Sequence, residues 1–234
     1  MTAELQPDLP GPGIEHLLRS RRSVRAFRPD PVSRQQVLDI LRLASWAPSN
    51  SNTQPWRVHV LAGAAKAALS QELLAAHEAD SFPPAAHFPA VLPERLRMNQ
   101  EQFGASYYAA LGIDRGDAPA RKRQTGRNFE FFGAPIGLIF SLDRRLTPHS
   151  WLDCGLFIQN VMLAARAGGL DTCPQVSFVR YQSVIARHLG LGEHDAVVCG
   201  MSLGYADPSA PVNSLAVPRE AAERFSTFLG FDLP

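Results

Sequence analysis

Two apolar runs, residues 134–141 and 195–205, constrain the fold most strongly. Each has the length of a strand and is far shorter than the roughly 20 residues that a membrane-spanning helix needs. A strand that is apolar almost throughout must be covered on both faces. The strands are separated by helical segments without a strict strand–helix–strand rhythm. The pattern therefore predicts an α+β fold, a mixed sheet flanked by helices.

Helices are predicted on either side of these strands. Ser33 and Gln36 form a capping box ahead of apolar residues at helical spacing, and Gly63 opens an alanine-rich helix after a strand predicted at 56–61. Four further segments have helical periodicity: 94–110, 119–132, 151–167 and 180–189. The last two end at glycines, which adopt the left-handed conformation of a helix C-terminus without steric cost.

The rest of the chain is predicted to be irregular. Residues 81–93 contain four prolines and two phenylalanines, which indicates a mobile flap. Residues 1–13 lack the apolar stretch of a secretory signal and are interpreted as a flexible N-terminal lead-in. At this length, residues 14–234 are expected to form a single domain.

Charge and cysteine content limit the classes of function. Lys and Arg number 23 against 22 Asp and Glu, so the totals show none of the basic excess of a nucleic-acid or membrane-surface binder. The three cysteines lie far apart without CxxC spacing, and the histidines are not at ligand spacing. We therefore expect no metal site, no membrane or nucleic-acid partner, and a reducing compartment, the cytoplasm.

Residues 19–28 carry five arginines and no acidic residue. Arginine forks bind phosphate bidentately and serine adds a hydrogen bond, so Arg21, Arg22, Ser23 and Arg25 are suited to enclose a phosphate dianion. A solvated basic turn explains the charge equally well. An arm that binds nucleic acid is a weaker alternative, because the intervening residues are not the aromatics that stack on bases.

Residues 47–56 place small polar residues between two prolines and lead directly into a strand. By composition alone an ordinary polar loop is the simpler explanation. However, the amides and hydroxyls can hydrogen-bond the edge of a planar heterocycle, and Pro48, Pro55 and Trp56 stiffen the backbone. Binding loops need such rigidity.

Taken in order, these segments resemble the FMN-dependent nitroreductase family. The matching motifs are Arg-Arg-Ser-x-Arg-x-Phe at 21–27, Ala-Pro-Ser-x-x-Asn-x-Gln-Pro-Trp at 47–56, Gly-Leu-Asp-Thr-Cys-Pro-Gln at 169–175 and Gly-Met-Ser-Leu-Gly-Tyr-Ala-Asp-Pro at 200–208. The resemblance covers nearly the whole chain. It implies an intertwined homodimer with two FMN sites, each lined by both subunits.

The resemblance also implies which residues bind FMN. Those for the phosphate and ribityl chain are Arg21, Arg22, Ser23, Arg25 and Arg219. Those that reach the flavin from the partner subunit are Pro48, Ser49, Asn50, Asn52 and Gln54. Pro174, Gln175 and Val176 are expected against the isoalloxazine face, with the Gln175 backbone N–H donating to N5, and Asn128 at the pyrimidine edge. The sequence departs from the family at 217–219, where Val-Pro-Arg replaces Lys-x-Arg.

The reaction implied is hydride transfer from NAD(P)H through FMN to an electron-poor acceptor such as a nitroaromatic, in ping-pong fashion and without a catalytic side chain. Aromatic residues crowd the middle third, where half are expected to be core and the others to line the acceptor pocket. Arg121 and Arg123 could attract an anionic acceptor or the phosphates of NADPH, although a solvated helix face is the simpler interpretation. The alternatives are a quinone, enone or flavin reductase on the same fold and, outside enzymes, a phosphate- or nucleic-acid-binding module.

Overall fold

The structure, a computed structural model, describes residues 13–83 and 88–231. Its centre is a four-stranded sheet with the order β1-β2-β4-β3. The strands are β1 (Arg57–Ala62), β2 (Ile136–Asp143), β3 (Asp171–Gln175) and β4 (Asp195–Gly204). All three strand pairings are antiparallel, and parallel pairing is confined to an isolated bridge between Ser23 and Thr172.

Seven α-helices of the described residues surround the sheet. They are α1 (Ile14–Ser20), α2 (Arg34–Ala44), α3 (Gly63–Glu78), α4 (Glu94–Ala110), α5 (Ala118–Gly126), α6 (Pro148–Ala167) and α7 (Gln182–Leu189). Five short 3-10 helices lie at Asn50–Asn52, Arg127–Gly133, Val176–Tyr181, Pro211–Ser214 and Ala222–Arg224.

The sheet is covered on both faces because its central strands are apolar on both sides. Leu138, Phe140 and Leu142 of β2 point into a core formed with α2 and α6. Ile139, between them in sequence, points to the opposite core, formed with α3, α7 and two 3-10 helices. This alternation confirms that the apolar runs are buried strands, and it confirms the α+β class.

Several predicted elements have the predicted bounds. The capping box of Ser33 and Gln36 starts α2, and Gly63 opens α3 with a φ of 50°. Helix α4 spans 94–110 as predicted. Gly190, with a φ of 64°, ends α7 in the left-handed conformation. These are the places where local chemistry determines the end of an element.

The structure differs from the predicted elements at two places. Residues 171–175 form a short edge strand, β3, where no strand was predicted. The helix predicted over 119–132 ends at Gly126, and a 3-10 helix follows in which Phe131 and Phe132 have φ values of 53° and 52°. The flap interpretation for 81–93 and the lead-in 1–13 fall partly on 84–87 and 1–12, which lie outside the described residues.

Candidate functional site

A single cavity of about 490 Å³ brings the predicted phosphate-binding residues together. Its walls include Arg21, Arg22, Ser23 and Arg25 on one side and Arg219 on the other. The first wall is the extended segment after α1, which is held on the edge of β3 by a bond from Val24 N to Thr172 O of 3.0 Å. We call this the basic cavity.

Four of the five arginines that line the basic cavity have no carboxylate partner among the described residues. Arg19, the fifth, pairs with Glu15, and Arg28 nearby in sequence pairs with Asp30, but no salt bridge involves Arg21, Arg22, Arg25 or Arg219. Burial, and then the charge of Arg219, lower the pKa of Arg21. Like charges gathered without compensation create a strong positive potential, which favours an anionic ligand.

Two aromatic rings and a backbone hydrogen bond hold Arg25 in place, and none of them neutralises the charge of its guanidinium. Its guanidinium lies 5.4 Å from the ring centroid of Phe103 and 5.1 Å from that of Tyr107, both on α4. Its backbone N–H donates to Asn213 Oδ1 at 2.8 Å. The Asn213 amide also donates to Ala26 O and Asp207 O, at 2.8 and 2.9 Å, so it ties the C-terminal segment to the arginine segment. No local motif marks Asn213 for this role in the sequence.

The end of β3 brings Gln175 next to Asn128. Gln175 is buried, and its Nε2 donates to the backbone oxygen of Asn128 at 2.7 Å. Its Oε1 accepts from Ser202 Oγ at 2.9 Å. Both ends of the Gln175 amide are thus hydrogen-bonded inside the protein, and one of these bonds holds the segment that carries Asn128.

Backbone groups along β3 alternate between β4 and the open edge of the sheet. Thr172 O faces the open edge, because it accepts from Val24 N. By alternation Gln175 N–H faces β4, where Gln175 pairs with Gly200. Pro174 has no N–H, so the amide that faces away from β4 is that of Val176. Val176 is 55% exposed and begins a 3-10 helix, where the first N–H groups have no intrahelical partner.

The polar loop 48–54 holds a strained conformation. Ser51, Asn52 and Gln54 have φ values of 51°, 57° and 48°. Such left-handed backbone persists only where the surroundings hold it. The buried Asp153 of α6 does this by accepting from Asn50 N at 3.1 Å, and Ser49 Oγ accepts from Gln54 N at 3.0 Å. No local motif in the sequence indicates this role of Asp153.

The polar loop does not reach the basic cavity of its own chain. Pro48, Ser49 and Asn50 instead line a different cavity of about 350 Å³, with Leu152 and Leu156 of α6. The two cavities share no lining residue. Within one chain, therefore, the two predicted halves of the site are separate.

The aromatic residues of the middle third include both buried and half-buried side chains. Phe129, Phe131 and Phe132 are buried core residues, whereas Tyr107 and Tyr108 on α4 are half-buried. Arg121 lies 4.1 Å from the ring centroid of Tyr108.

Cys173, beside the end of β3, is buried, and burial raises the pKa of its thiol to about 11. It is therefore a neutral packed thiol at physiological pH. Within the described ranges, the structure has no group of three or more His, Cys, Asp or Glu side chains able to hold a metal ion. In the same ranges no helix combines the length and the apolar character required to cross a bilayer.

Residues 18–205 match the model of the nitroreductase family. The chain is 53% identical to the 4-nitrobenzoate reductase of Pseudomonas putida, over 94% of this chain and 96% of that protein. It is 43% identical to the nitrobenzene nitroreductase of Ectopseudomonas oleovorans, over 93% and 97%. The crystal structure of the FMN-dependent nitroreductase NfnB from Mycobacterium smegmatis in complex with NADPH superimposes with a TM-score of 0.87 at 34% identity, covering 92% and 97% of the two chains.

Proposed function

Because the chain belongs to the nitroreductase family, we propose that it is an FMN-dependent oxidoreductase that transfers hydride from NAD(P)H to a nitroaromatic acceptor. The observation that carries the proposal is the basic cavity, which gathers four arginines without a carboxylate partner and is walled by the segment that bonds Thr172 of β3. Residues 14–234 are taken as one FMN-binding domain. Its three cysteines are free and buried, which supports a cytoplasmic location.

The basic cavity fits the phosphate of FMN. Arg21 and Arg25 provide planar forks for two phosphate oxygens, and Ser23 provides a hydroxyl donor. Arg219 closes the cavity from the C-terminal segment. A phosphate dianion would neutralise charges that otherwise repel, since burial and then the charge of Arg219 both lower the pKa of Arg21. Each charge-assisted hydrogen bond of this kind contributes roughly 1.5–3 kcal/mol.

FMN, when bound, supplies the N5 position that takes up and returns a hydride. The chain then has to position the ring and stabilise charge at its pyrimidine edge. We assign the N–H donor near N5 to Val176 rather than Gln175, because the Gln175 amide faces β4. Gln175 instead fixes, through its side chain, the position of Asn128 for the pyrimidine edge.

The separation of the two half-sites within one chain supports a homodimer. The polar loop can contact a flavin held by the basic cavity only if the two belong to different subunits. Large apolar residues at the surface are consistent with such an interface: Trp46, Trp151, Leu152, Leu156, Phe225, Phe228, Leu229 and Phe231 are between 40% and 83% exposed in the single chain. A subunit interface would bury side chains of this kind.

Loss of a basic-cavity arginine tests the phosphate assignment. We expect Arg21→Gln to weaken FMN binding by at least tenfold, because a charge-assisted hydrogen bond to a dianion is lost. Arg34→Gln, at the exposed start of α2, is the matched control for the loss of one positive charge. FMN affinity is measured by flavin fluorescence titration of the apoprotein. Equal affinity in the two variants would reject the phosphate assignment.

Complementation between variants tests the shared site. We expect Arg21→Gln/Arg25→Gln and Asn50→Ala/Asn52→Ala to be nearly inactive as separate dimers. After mixing and subunit exchange, half of the dimers contain one chain of each kind, and each of these has one intact site. Nitroaromatic reduction should therefore recover to about a quarter of the wild-type rate, as the symmetry of a twofold dimer requires. No recovery in a mixture proven to contain the heterodimer would contradict a site shared between subunits.

A further inference from the structure

A groove of about 670 Å³ adjoins the basic cavity and has no role in the binding of FMN described above. It runs between α4 and the C-terminal segment 215–224, and we call it the α4 groove. Phe103, Arg219 and residues 215–217 line both spaces. A ligand that reaches a flavin held at the basic cavity can therefore extend into the α4 groove.

The charges of the α4 groove are unbalanced. Arg95, Arg219 and Arg224 face a single carboxylate, that of Glu220. Both oxygens of Glu220 are already engaged, one by an ion pair with Arg95 and the other by Asn99 Nδ2 at 3.1 Å. These hydrogen bonds, from Asn99 first and then Arg95, lower the pKa of Glu220 and keep it ionised. Arg224 has no ion pair among the described residues, so its charge is available to an anion.

The other lining residues suit a nucleoside. Gln102 and Ser106 of α4 offer an amide and a hydroxyl, and Leu96, Leu215 and Pro218 offer apolar contact. The volume is in the range of sites for small organic ligands and cofactors, which is roughly 300–1,000 Å³. The groove thus combines a surface for a base and ribose with a cation for a phosphate.

We propose that the α4 groove binds the adenosine 2′-phosphate end of NADPH, with the phosphate on Arg224. The inference rests on the proposed function, since NADPH must place its other end at the flavin. An arginine beside the ribose is a general means of accepting a 2′-phosphate, whereas NADH has only a hydroxyl at that position. A free Glu220 carboxylate would favour NADH by accepting a hydrogen bond from its ribose 2′-hydroxyl. Arg95 and Asn99, however, already bind both oxygens of this carboxylate. The groove therefore selects NADPH over NADH.

Binding of adenosine fragments tests the proposal without turnover. Adenosine 2′,5′-bisphosphate and 5′-AMP are titrated calorimetrically into the FMN-loaded protein, in which the basic cavity is already filled. We expect the bisphosphate to bind about tenfold more tightly in the wild type, and Arg224→Gln to reduce that ratio to nearly one. Arg34→Gln at the start of α2 is the control, because Arg34 is exposed and lies outside the groove. An unchanged ratio in Arg224→Gln, or the loss of preference in Arg34→Gln, would overturn the assignment.

Steady-state kinetics give an independent readout. In Arg224→Gln we expect kcat/KM for NADPH to fall about tenfold through KM, with kcat and the values for NADH little changed. Equal loss with both nicotinamides would show that Arg224 does not recognise the 2′-phosphate. This failure differs from failure of the proposed function, which would be an absence of flavin or of nicotinamide-dependent nitro reduction in the wild type.

Discussion

Asp153 is predicted to control FMN affinity although it lies outside the basic cavity. Its buried carboxylate holds the polar loop through Asn50 N at 3.1 Å. Such a hydrogen bond contributes about 1.5–3 kcal/mol. It also keeps Ser51, Asn52 and Gln54 in left-handed conformations that each cost about 1 kcal/mol or more. Without the carboxylate the loop relaxes, and flavin binding must order it again.

We expect Asp153→Ala to weaken FMN binding about tenfold, which corresponds to 1.4 kcal/mol of reordering. Asp153→Asn keeps a neutral acceptor and should lose less than half of that free energy. FMN affinity is the decisive readout, because removal of a buried charge offsets part of any change in thermal stability. Fluorescence titration of both variants alongside the wild type makes the measurement. If Asp153→Ala bound FMN as tightly as the wild type, the polar loop would not be held by this residue.

Two further predictions concern the packing around the site. A Cβ on Gly200 would lie 2.6 Å from the Phe178 ring, so Gly200→Ala should lower the free energy of unfolding in urea by about 1–3 kcal/mol. Gly104→Ala is the control, because a Cβ there meets nothing within 4 Å, and it should be neutral or stabilising. Equal effects of the two substitutions would contradict the packing of Gly200 against Phe178. Hydrogen bonds from His188 and then Arg187 lower the pKa of Glu72, so their contribution is present above the unfolded pKa of 4.5 and is lost as pH falls through the lower folded pKa. Glu72→Gln should therefore cost about 0.5 kcal/mol at neutral pH and progressively less as the pH falls below 4.5, as thermal melts would show; a pH-independent difference would refute this.

The parts of the fold that the sequence predicts are those set by local chemistry. The capping box of Ser33 and the glycine that ends α7 define helix ends within a few residues. Strand β3 was missed because it is short, contains Pro174, and owes its existence to pairing with β4 and with the segment at Ser23. The left-handed Phe131 and Phe132 were missed because bulky residues rarely adopt that conformation.

The residues of the candidate site also fall into those that the sequence indicates and those that only the structure shows. The density of arginine at 21–25 is visible in the sequence, and the structure gathers these residues with Arg219 in one cavity. Asn213 and Asp153 carry no local signal, since each acts on a segment distant in sequence, Asn213 on Arg25 over 188 residues. Family resemblance implied the Gln175 backbone N–H as the donor to N5, whereas the strand register turns that amide towards β4 and leaves Val176 as the proposed donor.

The absorbance of the purified protein under anaerobic conditions tests the central claim most directly. The account predicts an FMN spectrum at one flavin per chain, which bleaches on addition of NADPH and returns on addition of a nitroaromatic such as 4-nitrobenzoate. A preparation that gains no flavin spectrum after incubation with FMN would contradict the account. So would bound FMN that NADPH reduces but no nitroaromatic reoxidises.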